Sequence, residues 1–594
     1  MTYLLFLPLI IALSLYLVPA IVLSQPSFKT AKDFFVGSSQ TSPIIFQNSS
    51  IAYQLQMATF GAFFLWGVTE DYRPALVNSV CFLVGLLLIY RLRHPLIRFL
   101  NDALRGDSSI TVHEFLARKY GDARLVRLVS SLLTVVALIG IAIGEIFGVA
   151  TVIRPLMPQD VQALYIFVFG MLLLMFVYTV SAGNSGVMRS DQAQLGTAYF
   201  GLFVAALMML AGLYASGKPL SPQVVLCTLV FGGSALMMLI YRRFRFLDTS
   251  LLQANSKSNG NMAEHPASVR AFNHFERFLN VSCVVLAVAL MAFAVLAFRQ
   301  VPLASLSAAF SGAVLRPTTF PTIAIVALIL LPIFYQFVDI TNWQRIAAFE
   351  KTNAELSDRE RKFRRSFLIY AIESPIVWIL MCMFGTLCAA ALLIPANAKD
   401  MSAVTSAVND GTVYGAILLM AFLIAVFSIA LSTMSAVFSA TLCAIRYDIL
   451  PSFHPTQSAG RVSAVQEAHV ARRAIAYGVL AYLLIAAGLY GVDAAKISFG
   501  SSQYLSLLFS FYCAQLSFVP LILGPILLHP KRNVSSGWAL FVLLAGTTAG
   551  ILPVGWSLYT GSEIWFWSGI PLCLTVGVLL YLLGLLICRE NKVV

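Results

Sequence analysis

Ile429-Ala430-Leu431-Ser432-Thr433-Met434-Ser435-Ala436 lies within an apolar run that starts near Gly411 and gives way to Tyr447-Asp448-Ile449. A run of about 20 apolar residues crosses a hydrocarbon core as one helix. About fifteen such runs recur along the chain, beginning near Tyr3, Pro43, Ala75, Val126, Gln162, Gln194, Gln223, Arg277, Phe320, Phe367, Gly411, Arg473, Tyr504, Trp538 and Trp565. The fold class read from this pattern is an all-α polytopic membrane protein.

Composition agrees. Of 594 residues, 59% are hydrophobic and 11% charged, against roughly 25% charged in a soluble domain. The nine cysteines mostly lie inside the apolar runs, with no CxxC pair, and read as small packing residues. The net charge of +13 is spread over many short loops rather than gathered in a patch, so no nucleic-acid partner is expected. No cofactor is expected. Membrane lipid is the surrounding partner, and oligomeric state is not legible.

The loop charges orient the chain. Tyr3 to Ser24 has no basic leading segment and no clear cleavage site, so it reads as a retained helix with its N-terminus outside. Alternating the spans from there places about thirty basic residues inside and about seven outside, a strong positive-inside bias, with the C-terminus inside. A plasma membrane, or the inner membrane of a bacterium, is the expected location. The whole of 1–594 reads as one membrane domain: 1–42 a peripheral helix and inner loop, 43–215 and 320–529 two repeats, 216–319 an inserted helix pair with an inner loop, and 530–594 peripheral helices.

Three separated segments carry a further signal. Tyr178-Thr179 leads into Ala182-Gly183-Asn184-Ser185-Gly186-Val187-Met188-Arg189-Ser190-Asp191-Gln192-Ala193-Gln194. Gln336-Phe337-Val338-Asp339-Ile340-Thr341-Asn342-Trp343-Gln344-Arg345 closes the ninth span. The third is the segment quoted first, ending at Asp448. Together they resemble the sodium/solute symporter family, and VDxxxWQR with MSA and YDI is similar to its urea-transporting branch. The resemblance covers Lys29 to about Leu528. It implies a LeuT-like five-plus-five inverted-repeat core, with peripheral helices, and secondary active transport by alternating access: symport of a small polar solute such as urea, an amino acid or a carboxylate, with Na+ as coupling ion.

The same resemblance implies a site. In a helix, the hydroxyls of Ser432 and Thr433 lie beside the carbonyl of Ile429, and this set of oxygens suits a hard cation. Matching the second span to the family adds the carbonyls of Met57 and Phe60, with Gly61-Ala62 as the expected unwound segment; a two-residue shift would give Leu55 and Ala58. Gln56, Thr59, Glu145, Gln336, Asp339 and Trp343 are the solute or gate candidates, and Asp191, Gln344 and Arg345 form an inner-gate motif. Asp191 is expected to cap the sixth span after a glycine turn, and Pro332 to interrupt the ninth.

Acidic residues inside spans are costly and so are functional candidates. Glu145, flanked by Gly144 and Gly148, reads as a ligand for a cationic solute, a proton carrier for H+-coupled symport, or a partner for a hydroxyl. Glu373 reads as a carboxylate reaching the inner surface beside Arg364 and Arg365. A symporter-like sensor acting with a separate signalling partner is the alternative. No HExxH or GxSxG is present, so an enzyme is not expected.

The orientation is open to test by cysteine labelling. Ser562→Cys should react with a membrane-impermeant maleimide in intact cells, and Ser258→Cys only after permeabilisation; the reverse pattern would overturn the orientation.

Overall fold

A computed structural model describes residues 31–37, 42–105, 109–157, 161–217, 220–238, 267–299, 301–315, 320–351, 356–398, 400–453, 464–494, 511–528 and 534–587. The expected first span, most of the 242–276 loop and the start of the thirteenth span lie outside them. The described elements are all helical, without strands. In order they are α1 Ala31–Val36, α2 Pro43–Gln54, α3 Met57–Val68, α4 Tyr72–Arg91, α5 Arg93–Arg105, α6 Val112–Lys119, α7 Arg124–Ile153 and α8 Val161–Ala215. Then come α9 Pro222–Met238, α10 Ala267–Phe298, α11 Leu303–Leu315, α12 Thr322–Val338, α13 Ile340–Glu350, α14 Leu356–Leu392, α15 Ser402–Val408 and α16 Val413–Ala444. The last four are α17 Ala464–Ala494, α18 Phe511–Leu527, α19 Ser536–Thr560 and α20 Glu563–Ile587.

Where they are described, the expected spans from Pro43 onward fall on helices, and among the described residues 9 helices, or 10 with one bent pair, are long and apolar enough to cross a membrane. The chain is an integral multi-pass membrane protein. Burial ranks the helices. The most apolar window of α16 is 78% buried, against 22% for Arg472–Gly491 of α17, so α16 is central and α17 peripheral. The exposed side chains of α17 (Tyr477, Leu480, Leu484) and α10 (Val281, Val285) are apolar, as a lipid-facing surface requires.

Among the described residues, the second and ninth spans are interrupted. The second breaks at Leu55 (φ −83°, ψ 59°) and Gln56 (ψ 145°), between α2 and α3. Gly61 and Ala62, expected to be unwound, are helical. The ninth breaks at Asp339 (ψ 104°), where α12 and α13 bend by 44°. Pro332, expected to mark that interruption, stays within α12, where its carbonyl packs against Gly85. The first motif breaks α8 at Gly183 (φ 58°, ψ −163°), a conformation that excludes a Cβ.

Lipid supplies no hydrophobic drive between helices, so small residues and close backbone approach hold the bundle. A Cβ on Gly67 of α3 would stand 1.8 Å from the Cys382 carbonyl oxygen of α14, and one on Gly385 of α14 would stand 2.1 Å from that of Phe64. One on Gly85 of α4 would meet the Pro332 oxygen of α12 at 2.6 Å. A half of each interrupted span is thus clamped by a helix of the other half of the chain.

Gly67→Val or Gly385→Val should destabilise the protein by about 1–3 kcal/mol or more, read as a lower melting temperature in detergent. Gly555→Ala, with nothing within 4 Å of the added carbon, should not; equal effects would refute the clamp.

Candidate functional site between two interrupted helices

Breaking a helix inside an apolar bundle leaves amides and carbonyls that must find partners. At the first break the partners are side chains from other helices. Glu145 of α7 accepts from the Met57 amide at the start of α3, at 2.9 Å and 3.2 Å to its two oxygens. Gly148 makes this approach possible, since a Cβ there would stand 2.9 Å from that of Met57. On the other side of the break, the indole of Trp378 on α14 donates to the Gln54 carbonyl at 2.9 Å.

The second break caps itself. Asp339 accepts from the Thr341 amide (2.9 Å) and hydroxyl (2.6 Å), an N-cap for α13. Asn342 donates across the bend to Gln336 at 3.0 Å. All four side chains are buried, so the stripe is interior rather than a hydrated helix end.

Tyrosines join the two breaks. Tyr53 donates to Asp339 Oδ1 (3.3 Å), Tyr512 of α18 donates to Gln56 (3.0 Å), and Gln54 donates to Tyr370 of α14 (3.0 Å). The rings of Tyr512 and Tyr335 meet edge to face at 5.0 Å. A small cleft opens beside this network between Ser50, Ile89, Asn342 and Tyr370.

A second cluster sits deeper along α2. Ser49 donates to Asp191 Oδ2 at 2.5 Å and accepts from Arg345 Nε at 2.9 Å. Arg345 pairs with the same carboxylate at 3.2 Å, both side chains being almost fully buried, and its guanidinium lies over the Tyr53 ring. Ser432 donates to Asp191 Oδ1 at 3.0 Å. Asp191 therefore lies within the second half of α8 and joins α2, α13 and α16, instead of capping a helix as expected.

Glu373 departs from its expected surface position as well. It is 3% exposed and accepts from Tyr199 (3.0 Å) and Gln47 (3.4 Å). The side chain points into the bundle, where α2 offers donors, rather than to the arginines at the start of α14.

The remaining candidates distribute as follows. Thr433 Oγ1 donates to the Ile429 carbonyl at 3.4 Å, so that pair is adjacent as helical spacing requires. Met57 and Phe60 lie in the first turn of α3, and the Phe60 ring packs on Phe422 of α16, about two turns before Ile429. Thr59 is half-buried. Trp343 donates to the Phe337 carbonyl and packs on Phe99 and Phe115 of the loop helices α5 and α6. Gln344 donates to the carbonyls of Phe35 and Ser439.

Reading the sequence missed Ser49, Tyr53, Gln54, Tyr370, Trp378 and Tyr512. A signal existed for the first three: Gln47-Asn48-Ser49-Ser50 and Tyr53-Gln54 are polar residues within an expected span, and all are buried.

No family model matches the sequence, and no curated protein matches it. Among solved structures, the chain is similar to a Na+-coupled sialic acid symporter in a substrate-bound outward-open state. The two share 16% identity and a TM-score of 0.61, with 98% of each chain covered. The fold is that of LeuT-type transporters.

Removing one partner of a buried ion pair strands the other. Arg345→Ala should cost about 3–5 kcal/mol of stability in detergent, and Arg345→Met with Asp191→Leu distinctly less. A double variant worse than the single would show that the pair is not coupled.

Proposed function

We propose that this chain is a sodium-coupled secondary transporter of the sodium/solute symporter family, moving a small polar organic solute by alternating access. The observation that carries this reading is the pair of interrupted helices whose breaks are joined through buried polar side chains. Broken helices of this kind place free backbone groups where ion and solute bind. The similarity in fold to a symporter and the three sequence motifs support it independently.

In this reading the ion is held on α16 by the Ile429 carbonyl and the hydroxyls of Ser432 and Thr433, with Asp191 beside Ser432. The carbonyls of Met57 and Phe60 are the ligands that the family resemblance implies from α3. The solute lies between the breaks, against Gln56, Glu145, Gln336 and Asp339. Asp191, Gln344 and Arg345 fasten the end of the bundle that carries the basic loops. Movement of α2, which is held by side chains from α8, α13 and α14, opens the route to that side.

Purified protein in liposomes should take up solute several-fold faster with an inward sodium gradient than with potassium. Ser432→Ala or Thr433→Ala should lower sodium-dependent uptake by about tenfold, the loss of about 1.4 kcal/mol of ion binding. Uptake indifferent to sodium in the unsubstituted protein would refute sodium coupling.

A further inference from the structure

The first turn of a half-helix at the centre of such a bundle presents unpaired amides and the positive end of a helix dipole, the place where an anionic solute group docks. Here that place is taken. The carboxylate of Glu145, 1% exposed, sits on the Met57 amide that opens the 12-residue α3. A solute carboxylate arriving at the same turn would find the amide already occupied by both oxygens of Glu145.

The second break points the same way. Asp339 is fully buried, and its Oδ1 receives Tyr53 and Thr341 while its Oδ2 has no hydrogen-bond partner. Among the described residues neither Glu145 nor Asp339 forms an ion pair with a lysine or arginine; the guanidinium of Arg345, paired with Asp191, acts on Asp339 only at longer range. Tyr512, which bonds Gln56 at the first break, lies within electrostatic reach of both acids. Two buried acidic side chains thus stand at the two breaks, one of them with an acceptor lacking a donor. An ionisable residue inside the membrane is by default a candidate for function.

We propose that the solute of this carrier is a small organic cation with N–H donors, of the guanidinium, amidinium or primary ammonium type, bound between Glu145 and Asp339. This rests on the transporter reading and narrows its substrate class. Glu145 serves as a built-in substitute for the carboxylate that an anionic solute would bring to α3, and Asp339 Oδ2 accepts from the solute cation. The solute cation then lies between the two acidic side chains.

The test uses the full chain in liposomes under an imposed sodium gradient, with labelled guanidine, methylamine, acetamidine, urea, acetate and sialic acid as probes. One or more of the three cations should accumulate at least about tenfold above urea, acetate and sialic acid. Glu145→Gln and Asp339→Asn should each lower the affinity for that cation by about tenfold or more, with the melting temperature in detergent showing whether each variant is folded. Where a variant does not fold, stabilisation of the unsubstituted protein by guanidine but not by acetate, read as a melting-temperature shift, decides the matter. Glu145→Ala, which frees the α3 amide, should shift preference toward acetate. Sodium-driven uptake of acetate, sialic acid or urea in preference to every cation overturns the inference and leaves the transporter reading standing. Absence of sodium-driven movement of all three cations likewise overturns the inference.

Discussion

A peptide amide without a partner inside a bilayer costs several kcal/mol, and the chain interrupts its second span at Leu55 and Gln56 all the same. The break persists because two distant helices reach it: α7 brings Glu145 to the Met57 amide and α14 brings Trp378 to the Gln54 carbonyl. Both contacts need glycine. Gly148 lets α7 approach α3, and Gly67 with Gly385 lets α14 lie against it. The positions of α3, α7 and α14 are therefore coupled to one another through the interruption.

The first half of that span, α2, is polar where a membrane helix is normally apolar. Gln47, Ser49, Tyr53 and Gln54 reach α14, α8, α13 and α14 in turn. In the interior of the bundle, hydrogen bonds of this kind contribute on the order of 1 kcal/mol each. They can be exchanged without a large penalty if a cation or solute takes over the acceptors.

The two breaks solve the same problem differently. Asp339 caps α13 from within its own segment, through Thr341 two residues on, whereas Gln56 offers α3 no side-chain cap. The self-capped break leaves a carboxylate oxygen over, and the break capped from outside brings a second carboxylate in. The two acidic side chains at the breaks are thus a by-product of how the backbone is satisfied.

Much of the architecture was legible in the sequence because hydropathy has to match the bilayer residue by residue. The described spans from Pro43 onward and a break within the second and ninth of them follow from apolar length and motif. Adjacency within one helix was legible too, as Thr433 and Ile429 show. The location of each break was not: Gly61 and Pro332 are locally the weaker helix formers, yet both segments stay helical. Leu55-Gln56 opens because residues some ninety and more than three hundred positions away, Glu145 and Trp378, supply its hydrogen bonds. The burial of Glu373 and the three-helix junction at Asp191 likewise depend on which helix lies alongside. The sequence by itself determined that the chain lives in a membrane and where its helices run. Only the tertiary structure decided where they break and which charges face one another, since a buried polar group is satisfied by neighbours in space rather than in sequence.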